Sequence, residues 1–272
     1  MKMDREALVR TVTEEVVRQL QMSQTESPDE TRSRAIGTGT DALPSCSQAS
    51  RGDSDRRLEQ AADSALSQAA GDKVVRDESD RALVVCTISN RHLHVSAADL
   101  ETLFGKGHVL SRMKDLVQPG QFACEEVMTV ATQRGRCLER VRVLGPVRAR
   151  TQVEISRTDA YFLGLRPPVR SSGGLDGSPG CTLIGPAGTV VLAQGVIIAN
   201  RHLHCPPETA AELGLKDGQI VCVRASHTDK PTIFGGVTVR VSTPARLELH
   251  LDMDDANGAG ILNGDLLQLQ TD

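Results

Sequence analysis

Tryptophan is absent from this 272-residue sequence, tyrosine occurs once (Tyr161) and phenylalanine four times. Aromatic platforms on which nucleic-acid bases could stack are therefore missing. A basic excess is missing too, since 31 Lys and Arg stand against 35 Asp and Glu, for a formal net charge of −4. A nucleic-acid partner, which needs a basic field, is excluded on both counts. The seven cysteines (Cys46, Cys86, Cys124, Cys137, Cys181, Cys205 and Cys222) contain no C-x-x-C pair, and their number is odd. That fits a reducing compartment better than a disulfide framework. No run of about 18 apolar residues occurs, so no membrane span is expected. The N-terminus also lacks the apolar stretch and small-residue cleavage site of a secretory signal. With so few aromatics, the core must come from Val, Leu, Ile and Ala.

Three regions differ in pattern. Over residues 1–21, Leu8, Val12, Val16 and Leu20 recur every four residues, with Val9 and Val17 beside them and charged residues opposite. This predicts an amphipathic helix, with Asp4 in its N-cap region. Residues 22–80 are rich in Ser, Thr, Gln, Asp, Gly and Arg and poor in large apolar residues. They read as a disordered linker, with a short helix conceivable over 57–70. A linker of that length favours a docking or targeting role for the helix over packing on its own domain. Residues 81–272 form the folded part. Short β-branched runs alternate with turn signals such as Pro119-Gly120, Gly145-Pro146 and Asp217-Gly218. Nine runs read as strands (82–89, 127–132, 141–144, 152–156, 190–192, 196–199, 220–224, 237–241 and 247–251). Only 97–104 and 207–213 read as helices. The expected class is mainly β, with small barrels and short capping helices.

The folded part is duplicated. Ser89-Asn90-Arg91-His92-Leu93-His94 returns 110 positions later as Ala199-Asn200-Arg201-His202-Leu203-His204. Gln118-Pro119-Gly120-Gln121 is echoed by Lys216-Asp217-Gly218-Gln219, and Val141-Arg142-Val143 by Val239-Arg240-Val241. Two similar β-barrel units are expected, 81–195 and 196–272, with the strand near 82–89 open to sharing between them.

Histidines two apart at a strand end point to the same side, so each pair can reach one metal ion. Carrying the repeat further, with a two-residue gap, sets Glu154 opposite His250. Each copy then offers three ligands: His92, His94 and Glu154 in one, His202, His204 and His250 in the other. Three ligands leave coordination positions open, as catalytic metal sites do. Five of the seven histidines fall in this scheme; His108 and His227 read as loop or surface residues. Arg148, ahead of the Glu154 strand, has the planar fork that suits phosphate oxygens, and its repeat partner is Arg246. Arg91 and Arg201 read equally well as structural partners at the strand ends. Cys124 and Cys205 read as small buried hydrophobes. Gly173, Gly174 and Gly177 read as a flexible loop rather than a phosphate cradle.

The segments SNRHLHVS, KDLVQPGQFACEE, VRVLGP, QVEISRTDA, GSPGCTLIGP, GVIIANRHLH and HLDMDDANGAG together closely resemble the phosphate propanoyltransferases of bacterial microcompartments. The resemblance covers roughly residues 82–265. It implies two β-barrel domains with two metal ions, usually zinc, in an active site between them. It implies reversible transfer of a short acyl group from coenzyme A to inorganic phosphate, in settings such as propanediol degradation. By the same resemblance, His92, His94 and Glu154 bind the metal that meets the coenzyme A sulfur, and His202, His204 and His250 bind the other. Arg148 matches the phosphate-binding arginine; Ser89, Lys114, Arg142 and Asn257 match positions near coenzyme A. Residues 1–21 then read as a tag for shell or lumen proteins of a cytoplasmic microcompartment, and the enzyme as a homo-oligomer. A metal-dependent hydrolase, which can also begin with H-x-H after a strand, is the alternative, and a metal-stapled scaffold is a second.

Overall fold

The computed structural model describes residues 74–271. The helix expected over 1–21 and the linker up to residue 73 lie outside the described residues. From Val74 onward the chain forms, in order, β1 (Val75–Arg76), β2 (Ala82–Ser89), β3 (His92–His94), α1 (Ala97–Phe104), β4 (Arg112–Asp115) and β5 (Phe122–Ala131). There follow β6 (Cys137–Gly145), β7 (Gln152–Glu154), α2 (Arg157–Leu163), β8 (Val169–Arg170), β9 (Cys181–Ile184), β10 (Thr189–Leu192) and β11 (Val196–Ala199). The remainder is β12 (His202–Cys205), α3 (Pro207–Leu213), β13 (Ile220–Ala225), β14 (Thr232–Val241), β15 (Glu248–Asp252), α4 (Met253–Ala259) and β16 (Leu266–Gln270).

The mainly-β class and the short helices match the sequence reading, but only one of the two units closes. Strands β2, β15, β12, β14, β13 and β16 form a ring, because β16 pairs with both β13 and β2. Closure leaves no free edges in that ring. The other sheet runs β10-β9-β5-β6-β3-β7-β11-β8, with β4 beside β5, and curls without closing. The expected pair of similar barrels is therefore one barrel and one half-barrel. In the second copy β16 pairs with both β13 and β2 and seals the ring, whereas its counterpart in the first, β9, pairs with β5 and β10.

Strand pairing reproduces the repeat residue by residue. β3 lies between β6, parallel, and β7, antiparallel, with His92 opposite Glu154. β12 lies between β14, parallel, and β15, antiparallel, with His202 opposite His250. The strands that precede the two histidine motifs are exchanged. β2 pairs with β15 of the second copy, Thr87 against His250. β11 pairs with β7 of the first copy, Ile197 against Glu154. Thr87 and Ile197 are themselves 110 apart (197 − 87), the spacing of the motifs. Residues 82–89, the strand left open to sharing, thus pair within the barrel sheet, and 196–199 within the half-barrel sheet. Pairing also begins before residue 81, since β1 pairs with the first two residues of β2.

Period-two alternation explains how apolar and ligand side chains share these strands. Leu93 and Leu203, each between two histidines, are fully buried and join separate aliphatic cores. Val141, Val143, Val153 and Leu183 pack with Leu93; Val237, Val239, Leu249 and Leu251 pack with Leu203. Each fully buried Leu stabilises the fold by about 1.5–3 kcal/mol. The histidines on either side face the opposite way, toward the space between the two sheets.

A short helix follows each ligand-bearing strand. Ser96, Ser156 and Asp252 cap α1, α2 and α4 by accepting from the backbone N–H of Asp99, Asp159 and Asp255. α3 instead starts on Pro206-Pro207 without a side-chain cap. α2, α3 and α4 stop at Gly164, Gly214 and Gly260, which take the left-handed conformation that favours glycine. α1 and α3 match the two expected helices. α2 and α4 were not expected as helices: α2 follows directly on a run read as strand to Ser156, and α4 contains Asn257-Gly258, a turn signal.

Candidate active site and metal centres

Two clusters of three ligand-type side chains face each other across one cavity. In the first, His92, His94 and Glu154 are all buried; in the second are His202, His204 and His250. Within each cluster the donor atoms lie within 4.8 Å of one another. His92 Nε2 is 3.6 Å from Glu154 Oε2. The rings of His202, His204 and His250 have centroids 4.8–5.0 Å apart.

The backbone fixes the orientation of several rings. His92 Nδ1 donates to the Asn90 carbonyl and His202 Nδ1 to the Asn200 carbonyl, each at 2.8 Å. His94 Nδ1 donates to the Leu144 carbonyl at 3.0 Å. A carbonyl can only accept, so in these three rings the proton sits on Nδ1 and the lone pair on Nε2. Burial, with His92 and Arg148 adding to it, pushes His94 down to about 3. Burial and neighbouring His250 push His202 down to about 4. Burial, His250 and His202 push His204 down to about 3. These imidazoles are neutral near pH 7, the form that binds a metal. Burial works to raise Glu154, but His92, His94, the Ser172 hydroxyl and Arg148 outweigh it and hold the carboxyl below its ordinary range. His250 Nε2 is buried with no hydrogen-bond partner, a costly state for a polar atom that a ligand would relieve. Neutral imidazoles, an ionised carboxylate and this orphaned nitrogen fit a divalent cation in each cluster.

The cavity between the clusters has a volume of about 950 Å³. Every site residue expected from the sequence lines it, the six ligand candidates with Arg148, Ser89, Lys114, Arg142 and Asn257. Arg148 sits in the turn between β6 and β7, its N–H donating to the Val95 carbonyl at 2.9 Å. Its Nη1 donates to Ser172 Oγ at 2.8 Å, and Ser172 in turn donates to Glu154 Oε1 at 3.0 Å. Burial and nearby Arg240 act against the Arg148 charge while Glu154 supports it; a guanidinium stays protonated regardless. Arg246, the repeat partner of Arg148, is not in the cavity lining; its backbone carbonyl accepts from Gln118 Nε2 at 3.1 Å.

Arg240 and Ser172 are among the lining residues that the sequence did not single out. Arg240 enters from β14, at the repeat position of Arg142, so the repeated V-R-V run carried the signal. Ser172 belongs to the glycine-rich loop read as flexible. That loop is fastened to the site, with Gly173 N–H donating to Gln152 Oε1 at 2.6 Å and Gln152 Nε2 to Ser172 Oγ at 2.7 Å. Arg91 and Arg201 do pair structurally, with Asp159 and Asp255. His108 stacks on Phe104 and meets Glu126 at 2.8 Å, and His227 meets Asp265 at 3.3 Å.

The family model for phosphate propanoyltransferase matches residues 85–262. A phosphate propanoyltransferase of Thermotoga maritima is 51% identical over 186 residues, covering 68% of this chain and 88% of that protein. One of Rhodobacter capsulatus is 43% identical over 208 residues, covering 76% of this chain and 96% of its own length. One of Salmonella typhimurium is 46% identical over 189 residues, covering 70% and 89%.

Proposed function

Since the chain belongs to the phosphate propanoyltransferase family, we propose that its cavity moves a propanoyl or similar short acyl group reversibly between coenzyme A and inorganic phosphate. The observation that carries this reading is the convergence of two three-ligand clusters and Arg148 on one cavity. His92, His94 and Glu154 would hold one divalent ion, and His202, His204 and His250 a second, with zinc best matched to these donors. Such ions, when bound, supply Lewis acidity that favours a thiolate leaving group and negative charge on the acyl oxygen.

The chain's own residues do the rest. Arg148 offers phosphate its planar fork, steadied by Ser172 and strengthened by partial burial. Held there, a phosphate oxygen attacks the thioester carbonyl; the carbon–oxygen bond forms and the carbon–sulfur bond breaks, giving acyl phosphate and coenzyme A. Lys114 and Arg142 provide cations for the phosphates of coenzyme A, and Ser89 and Asn257 polar contacts. Attack is direct, without an acyl-enzyme. Burial pushes the Cys124 and Cys205 thiols up to about 11, so neither is a ready nucleophile.

Residues 1–21 would dock on shell or lumen proteins and place the enzyme, as a homo-oligomer, in a cytoplasmic microcompartment of the propanediol-degrading kind. The amphipathic pattern of those residues supports this. No helix among the described residues is long and apolar enough to cross a membrane.

The test is release of free coenzyme A thiol from propanoyl-CoA, with and without phosphate and with and without prior chelation. Release that needs phosphate and metal, and falls in His92→Ala and His202→Ala, is expected. Release without phosphate would replace this reading by the metal-dependent hydrolase.

A further inference from the structure

The repeat places a polar residue two positions before each third ligand: Gln152 before Glu154, and Glu248 before His250. Both are 1% exposed. In the register of the two strand pairs, Gln152 lies across from His94 and Glu248 across from His204. The positions match but the chemistry is exchanged. The first copy has a neutral amide beside a carboxylate ligand, and the second has a carboxylate beside a neutral ligand. Each site thus contains one buried carboxylate, displaced by two residues between copies.

A buried carboxylate is costly unless its oxygens are engaged. Glu248 Oε1 accepts from Thr87 Oγ1 and Oε2 from Gln118 Nε2, so β2 and the 116–121 turn of the first copy both hold it. Oε2 also lies 3.0 Å from His250 Nε2, the nitrogen that has no hydrogen-bond partner. The carboxylate thus lies against the His250 ring at the border of the ligand cluster. Glu248 itself stands outside the three-histidine group.

We propose that Glu248 is the anionic complement of the second metal site: a positioning residue that keeps His250 turned into the cluster. It gives the three histidines the negative charge that Glu154 gives the first site directly. Carboxylates placed behind histidine ligands typically change metal affinity by about 10–100-fold. The inference rests on the two-metal reading above.

The test measures zinc release into a chromogenic chelator from single-site proteins. In a His92→Ala background, where the second site is left, E248Q should speed zinc release about 10–100-fold. In a His202→Ala background, where the first site is left, it should change release little, which also reports that the fold is intact. Glu248→Asp, which keeps the charge with a shorter reach, should retain zinc better than E248Q and keeps the test open should E248Q fail to fold. Equal release with and without E248Q in the His92→Ala background would overturn the inference, as would equal acceleration in both backgrounds. Unmutated protein binding fewer than two zinc ions would instead overturn the two-metal reading on which it rests.

Discussion

Arg201 holds Asp255 by two parallel hydrogen bonds, Nε to Oδ2 and Nη2 to Oδ1, each 2.7 Å long. Asp255 is in the first turn of α4, and Arg201 immediately precedes the second histidine pair, so the pair ties that helix to the motif. Arg201 Nη1 also donates to the Gly235 carbonyl at 3.0 Å, and the guanidinium lies 5.2 Å from the centre of the Phe234 ring. The first copy has a single-pronged version, Arg91 Nη2 to Asp159 Oδ1 at 2.9 Å.

Arg201→Lys should therefore destabilise the protein by about 1 kcal/mol, because an ammonium cannot reproduce the fork and both partners are only partly buried. Arg91→Lys should cost less. Urea denaturation of the two variants beside the parent checks the order. Equal losses would mean that the second prong contributes nothing.

Leu203→Ala should be far more damaging, by about 2–5 kcal/mol, since it leaves a cavity in the barrel core. Its flanking histidines keep their backbone positions only while that core is filled. Denaturation and the chelator assay should show loss of stability together with weaker zinc retention at the second site. A variant with parental stability would show that the barrel collapses around the missing side chain at no cost.

Much of this site was legible because the gene-level duplication wrote it twice. Glu154 and His250 could be aligned by carrying the repeat further with a two-residue gap, and the strand register sets both opposite the first histidine of each pair. Partners brought in from elsewhere in the chain were not legible. Glu248 meets Gln118 across 130 positions, and no local period signals that approach. Sharing of the strand near 82–89 was open from the repeat, but its exchange for β11 was not legible, since β-branched runs announce strands but not their neighbours. Closure of one barrel turned on β16, whose run Leu266–Gln270 was not among the expected strands.

Removing Arg148 tests the phosphate site in isolation. Arg148→Ala should lower kcat/KM for phosphate about 10–100-fold, the usual range for a lost charge-assisted hydrogen bond, with a much smaller effect on the KM for acyl-CoA. Ser172→Ala, which frees the guanidinium without removing it, should fall between. Steady-state kinetics with each substrate varied in turn makes the separation. A loss shared equally by both substrates would remove Arg148 from phosphate binding.

High pH should expose the buried thiols. Cys86 is fully buried and Cys181 nearly so. Burial pushes each up to about 12, with Asp265 and Glu248 adding to the effect at Cys86. In the unfolded chain the same thiols ionise near 9. Between those values the unfolded state gives up a proton that the folded state keeps, so the unfolded state is favoured as pH rises. The stabilisation is complete below pH 9 and is lost on going from about pH 9 toward 12, by about 1 kcal/mol per thiol per pH unit. Cys86→Ala and Cys181→Ala should each carry a constant penalty for the lost volume but a shallower decline in stability between pH 9 and 10.5. Lysine and tyrosine titrations are shared by all three proteins and cancel in the comparison. Parallel stability curves for parent and variants would show that these thiols ionise as readily in the fold as out of it.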